Sequence, residues 1–243
     1  MKLLFTGLSD QGCCRTANQD AYYTDPEGRF FIVADGMGGH AGGQEASRIA
    51  TQSIQAYLAG FWASTLTSQD LLQAALLKAN QEICRDQREH PERSGMGTTV
   101  VVVIFRDAQS WCAHVGDSRL YQLRGPQLQQ ITEDHTWVAQ AVKDGQLLAD
   151  QARMHPWRHV LSQCLGRPEL QQIAIQPLEV YPGDRLLLCS DGLTEELTDS
   201  LIATYLESIP AGEQAVATLV NAAKEKGGRD NITVVIVTIA PLT

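Results

Sequence analysis

Four separated segments of the chain end an apolar run on an aspartate beside a Gly or Asn: Phe30–Gly36 with Asp35, Ala113–Arg119 with Asp117, Leu186–Gly192 with Asp191, and Gly227–Val234 with Asp230. A fifth, Arg15–Asp20, carries Asp20 with an arginine five residues before it. A carboxylate placed where a strand leaves a sheet can point into a shared cleft. Several carboxylates meeting there repel unless cations separate them, and hard divalent cations take oxygen ligands of this kind. Taken singly, each aspartate has an ordinary reading as a turn residue or a helix cap. Taken together, three follow strongly apolar strands, where a charge is costly unless it is paired or metal-bound. Asp25, Asp107 and Asp134 lack that setting and read as solvated turn residues.

Other catalytic signatures fail. A cysteine phosphatase needs C-x5-R, yet the residues six beyond the cysteines are Gln19, Asp20, His90, Ser118, Leu170 and Glu195. The Gly36–Gly43 stretch has glycines but no Lys-Ser/Thr, so it is not a P-loop. H-E-x-x-H, G-x-S-x-G and an EF-hand loop are all missing from the sequence. His155 and His159 have helical spacing, but Pro156 interrupts them, and a surface turn is the simpler reading.

The composition excludes further classes. The formal charge of −9, with no basic run, argues against nonspecific nucleic-acid binding. No apolar stretch reaches bilayer length. Met1–Gly7 is too short and too soon polar for a signal peptide. The six cysteines lack C-x-x-C spacing, so reduced thiols and a cytoplasmic location are expected.

The elements that must position the aspartates follow from periodicity. Lys2–Ser9, Ala21–Thr24 and Arg29–Ala34 read as strands, the last two joined by the Asp25-Pro26-Glu27-Gly28 turn. Helices follow over Gln44–Leu58 and Ser68–Arg88, the second with Ser68 as N-cap. Thr98–Phe105 is a buried strand, and Trp111–Val115, Arg119–Leu123 and Leu128–Ile131 are strands. Asp134–Leu170 is helical and irregular. Strands Ile173–Leu178 and Arg185–Cys189, helices Leu201–Ser208 and Gln214–Lys226, and strand Ile232–Ile239 complete the chain. Strand blocks sit beside helix blocks instead of alternating with them, which predicts an α+β sandwich with helices covering sheets. Without a linker or repeat, residues 1–243 are expected to be one domain.

In order along the chain stand Arg15…Asn18-Gln19-Asp20, Val33-Ala34-Asp35-Gly36-Met37-Gly38-Gly39-His40, Met96-Gly97-Thr98-Thr99, Val115-Gly116-Asp117-Ser118-Arg119, Ser190-Asp191-Gly192 and Gly228-Arg229-Asp230-Asn231. In this order and coverage the chain resembles the metal-dependent serine/threonine phosphatases of the protein phosphatase 2C (PPM) family, in their compact bacterial form. The detail is most similar to cyanobacterial single-domain members, a type linked to the PII nitrogen-signalling protein. The resemblance implies a central antiparallel β-sandwich flanked by helix pairs. It implies two Mn2+ or Mg2+ ions at one end and a weaker third, with phosphoserine and phosphothreonine esters hydrolysed by a water bridging two cations. By position, Asp35 would bridge both metals and the Gly36 carbonyl would bind one. Asp191 and Asp230 would complete the other, Asp20 would sit near the second, and Asp117 with Asp191 would form the third site. Arg15 would fork onto phosphate oxygens, although a surface ion pair is its simpler role. His40 is the candidate proton donor to the leaving oxygen. Eukaryotic members carry Glu-Asp where this chain has Gln19-Asp20, which implies a more exchangeable second metal.

Asp144 to Leu170 interrupts the strand pattern and carries Arg153, His155, Arg158, His159 and Arg167. It reads as a flap beside the metal cleft that selects among protein substrates, with His159 as its substrate-binding residue. Phosphorylated proteins are the expected partners, nucleic acid and membrane are not, and a monomer is expected. Two rivals remain at this point: a catalytically dead phosphoprotein-binding module, and a different metallohydrolase such as a small-molecule phosphatase or a nuclease.

Overall fold

In the computed structural model, which describes residues 2–39, 42–170 and 173–240, the run Val100–Ile104 is apolar at every position because both its faces are covered. Val101 and Val103 face one core, while Val100, Val102 and Ile104 face another. Phe31 and Val33 alternate in the same way with Phe30 and Ile32. So do Leu186 and Leu188 with Leu187 and Cys189. Each such side chain contributes roughly 1.5–3 kcal/mol by leaving water.

Three cores mean four layers. The strands are β1 (Leu3–Asp10), β2 (Asp20–Thr24), β3 (Phe30–Met37), β4 (Gly97–Thr98), β5 (Val100–Arg106), β6 (Gln109–Val115), β7 (Arg119–Arg124), β8 (Gln127–Gln130), β9 (Ala174–Leu178), β10 (Arg185–Cys189) and β11 (Ile232–Ile239). One sheet runs β1-β11-β10-β7-β8 and the other β2-β3-β5-β6-β9, with β4 paired to β3. Every pairing is antiparallel. The sheets pack face to face through Phe31, Val101, Leu188 and Val235. Helices α1 (Gly42–Phe61) and α2 (Ser68–Glu89) cover the outer face of the second sheet. The first sheet is covered by α5 (Asp191–Thr194), α6 (Asp199–Ser208) and α7 (Gly212–Lys226). The expected α+β sandwich flanked by helix pairs is therefore the observed architecture. No helix among the described residues is long and apolar enough to cross a membrane.

Local details differ from the sequence expectation. Helix α2 is capped one residue earlier than expected: Thr67 Oγ1 accepts from Asp70 N at 3.1 Å, and Ser68 is already inside the helix. Strand β3 continues through Asp35 to Met37. Asp25 is not solvated: it is 1% exposed and accepts from Arg29 Nε and Nη2 at 2.9 and 2.8 Å, closing the β2–β3 hairpin. Asp134 receives Arg119 through both Nε and Nη2. Asp107 is an exposed turn residue as expected, at φ +53°.

The irregular stretch contains α3 (Trp137–Lys143) and α4 (Ala149–Met154). Its far end is fastened back: Thr136 bridges Leu161 and Thr98 bridges Leu165. The buried Asn80 then accepts from Gly166 N at 2.7 Å and Arg167 N at 3.2 Å. Trp137 stacks on His155 with ring centroids 5.1 Å apart.

Candidate metal centre

The register of the second sheet puts Asp20 of β2 directly opposite Asp35 of β3. The other three aspartates come from loop ends at the same edge of the sandwich. Asp117 lies between β6 and β7, Asp191 follows β10, and Asp230 precedes β11. Together with Arg15, Gly36, Thr99 and His159, four of the five (Asp35, Asp117, Asp191 and Asp230) line one cleft of about 440 Å3. The fifth, Asp20, lies beside it beneath Ser190.

Backbone close contacts shape the floor. A Cβ on Gly36 would lie 1.9 Å from the Gly43 carbonyl oxygen, so the start of α1 can approach β3 only because both residues are glycine. Asp35 is held by its backbone: its N donates to Thr99 Oγ1 at 3.1 Å, and its carbonyl accepts from Thr98 Oγ1 at 2.8 Å. Thr99 also shares a 2.6 Å hydroxyl contact with Ser118, next to Asp117. Gly116 N donates to His135 Nδ1 at 3.2 Å, which fixes the loop that carries Asp117. Asn231 joins three segments: its Oδ1 accepts from Gln19 N at 2.8 Å, and its Nδ2 donates to the Gln11 and Ala17 carbonyls at 2.9 Å.

The carboxyl groups themselves are poorly compensated. Burial raises Asp35 well above the ordinary carboxylate range, and the charges of Asp20, Asp191 and Asp117 add to it. Burial raises Asp20 to about 7, although Thr233 and Ser190 hydrogen bonds pull the other way. Ser190 Oγ donates to Asp20 Oδ2 at 2.7 Å. Asp191 is raised by burial and by Asp230, and Asp117 by burial and by Asp191. Oδ1 of Asp20 and Oδ1 of Asp191 are buried with no hydrogen-bond partner among the described residues. Such orphaned acceptors cost about 1–3 kcal/mol each, more when charged. A set of carboxylate oxygens with a backbone carbonyl nearby, crowded and unpartnered, fits hard divalent cations.

Arg15 stands at the rim, half-exposed, with Nη2 2.5 Å from Asp230 Oδ2. The ion pair weighed for it thus exists, and its partner is a site aspartate. His159 also lines the cleft, with Nδ1 2.6 Å from Glu195 Oε1. Sequence reasoning missed Glu195. It lies one helical turn beyond Asp191, and burial followed by the Asp191 charge raises it to about 7. Among the described residues, His159, Asp191 and Glu195 bring ligand atoms within 4.8 Å of one another. Ser190, Asn231 and His135 were also missed as positioning groups. For Ser190 and Asn231 the only signal was adjacency to an aspartate. His40 lies outside the described residues, as does the side chain of Arg153.

The family model for protein phosphatase 2C matches residues 15–232, and the chain belongs to that family. It is 35% identical over 234 residues to the serine/threonine protein phosphatase PstP of Mycobacterium tuberculosis, covering 96% of this chain but only 44% of that one. It is 36% identical to the protein phosphatase PhpP of Streptococcus pneumoniae, with 96% of each chain covered. The crystal structure of the PstP catalytic domain in complex with two manganese ions matches at TM-score 0.84 and 33% identity, covering 98% of this chain and 99% of that one.

Proposed function

We propose that this chain is a metal-dependent protein phosphatase that hydrolyses phosphoserine and phosphothreonine esters with Mn2+ or Mg2+. The observation that carries this reading is the group of five aspartates, delivered by separate segments to one edge of the sandwich, with buried oxygens that no described residue satisfies. The relatives named as protein phosphatases, and the two manganese ions in the PstP domain, support it.

Asp35, the Gly36 carbonyl, Asp191 and Asp230 would hold two cations, with Asp20 close by and Asp117 with Asp191 offering a weaker third place. Divalent cations there would supply Lewis acidity, drawing charge from the phosphoryl oxygens and acidifying a water for attack. The protein's own contribution is alignment. Thr98 and Thr99 hold the Asp35 backbone, and Asn231 locks the Arg15 loop beside Asp230. Arg15 would turn its guanidinium from Asp230 to the incoming phosphate, with charged hydrogen bonds worth roughly 1.5–3 kcal/mol each before solvent screening. His40 would protonate the seryl oxygen as it leaves, a role resting on its place in the sequence motif. His159, which lines the cleft, would contact the substrate.

The finer reading is a single domain over 1–243 with a substrate-selecting flap over 144–170, acting as a cytoplasmic monomer. The resemblance to cyanobacterial single-domain members adds the phosphorylated PII protein as substrate. Turnover of p-nitrophenyl phosphate and of a phosphoserine peptide, with Mn2+ and then with excess chelator, tests the core proposal. Full activity in chelator would sink it. Phosphopeptide binding without turnover would favour the catalytically dead module. Turnover of phosphorylated PII against other phosphoproteins tests the finer one.

A further inference from the structure

Two of the six cysteines, Cys13 and Cys14, are adjacent, exposed and free, while the other four are buried or half-buried. Their turn runs directly into Arg15. It is seated against the loop that ends in Asp230. Cys13 N donates to the Gly228 carbonyl at 2.7 Å, and Cys13 Sγ lies 3.8 Å from the Lys224 carbonyl oxygen. The fit leaves no slack: a Cβ on Gly228 would lie 2.9 Å from Cys13 Sγ, and one on Gly12 would lie 2.1 Å from the Asp230 carbonyl oxygen. The position of the Cys13 sulfur is therefore tied to that of both partners in the Arg15–Asp230 pair.

We propose that Cys13 and Cys14 form a thiol-oxidation site at which a hydroperoxide closes a disulfide and withdraws Arg15 from the cleft. The inference rests on the phosphatase reading for its consequence, though not for its chemistry. Cys14, exposed and bonded directly to Arg15, attacks the peroxide as thiolate. The O–O bond breaks, an alcohol or water leaves, and Cys14 becomes a sulfenic acid. The Cys13 thiolate then attacks that sulfur, forming S–S and breaking S–O, and the hydroxide departs as water with the thiol proton. Two thiols lose two electrons to one hydroperoxide. Consecutive Cα atoms stand about 3.8 Å apart, below the roughly 4.4–6.8 Å spanned by ordinary disulfides. Closing this one must reshape the turn and draw Cys13 off Gly228. Strain also makes the bond easy to reduce, so the effect is reversible.

The test treats metal-free protein with hydrogen peroxide, removes the peroxide, restores Mn2+, and measures p-nitrophenyl phosphate kinetics beside tryptic mass spectra. The expected result is loss of two hydrogens from peptide Leu3–Arg15 and a rise in KM of about tenfold, both reversed by dithiothreitol. Cys14→Ser should keep the untreated KM and lose the reversible rise. The proposal is overturned if the peptide mass does not change, if the disulfide forms with KM unmoved, or if Cys14→Ser responds as the parent does. Untreated protein inactive in reductant would instead fail the phosphatase reading, while the mass result would still decide whether the disulfide forms.

Discussion

An aspartate stands just beyond each end of strand β10, and the two have opposite surroundings. Before it, Asp184 Oδ2 accepts from Gln122 Nε2, Tyr181 N and Arg124 Nη2, all at 2.8 Å. Beyond it, Asp191 has an orphaned Oδ1 and faces Asp35 and Asp230. Burial opposes ionisation of Asp184, yet hydrogen bonds led by Arg124 hold its carboxyl below the ordinary range. Burial and carboxylate neighbours push Asp191 above it. The same residue type in the same sandwich is thus a fastening at one end and an unbalanced charge at the other. Only the second has unspent affinity for a ligand.

The largest expected effect separates the ends outright. Asp35→Asn should lower kcat by at least a thousandfold, about 4 kcal/mol of activation free energy, while metal-free melting holds or rises because a repelling charge is gone. Near-normal kcat would refute the metal-bridging role. Next, Asp184→Asn should lower unfolding free energy by about 1–2 kcal/mol, since it weakens the hydrogen bonds from the buried Gln122 and the half-exposed Arg124, and leave kcat unchanged. A kcat loss without a stability loss would erase the contrast.

Acid should then move the two ends in opposite directions. For Asp20, raised to about 7 in the fold, the neutral form is favoured by folding. Its stabilising effect is complete below the unfolded value near ~3.9 and is lost as pH rises through about 7. For Asp184, with a depressed folded value, the contribution is present above ~3.9 and is lost as pH falls through that depressed value. Chelated protein should therefore gain stability between about pH 8 and about pH 5.5 in urea titrations, and Asp20→Asn should gain less. An equal gain in both would remove Asp20 from the effect. The smallest effect is at the rim. Arg15→Ala should raise KM for phosphomonoesters about tenfold with little change in kcat, near the low end for a charged contact because Arg15 is half-exposed. Lost stability with KM unmoved would make Arg15 purely a partner of Asp230.

The sandwich was legible because burial on both faces writes itself as uninterrupted apolar runs such as Val100–Ile104. The five aspartates were legible as a set because three follow such runs. Asp25 and Asp134 were misread because their partners, Arg29 and Arg119, become partners only when a hairpin closes or the chain beyond β8 returns to the start of β7. Asp184 went unnoticed for the same reason: Arg124 lies 60 positions away in sequence. Ser190 and Asn231 do their work through hydrogen bonds to distant backbone and carboxylate groups, and no periodicity records such bonds.

The bridges Thr136–Leu161 and Thr98–Leu165 bear on how this scaffold can vary. Thr98 also grips the Asp35 carbonyl, so the returning chain is anchored to a residue that holds the floor of the aspartate cleft. Between those posts the chain closes a loop whose entropic cost grows by only about 0.6 kcal/mol per doubling of length. The stretch between them behaves as an exchangeable cassette. Its length and side chains can change while the anchored ends keep the aspartates in register, so variation there need not disturb the layers beneath it.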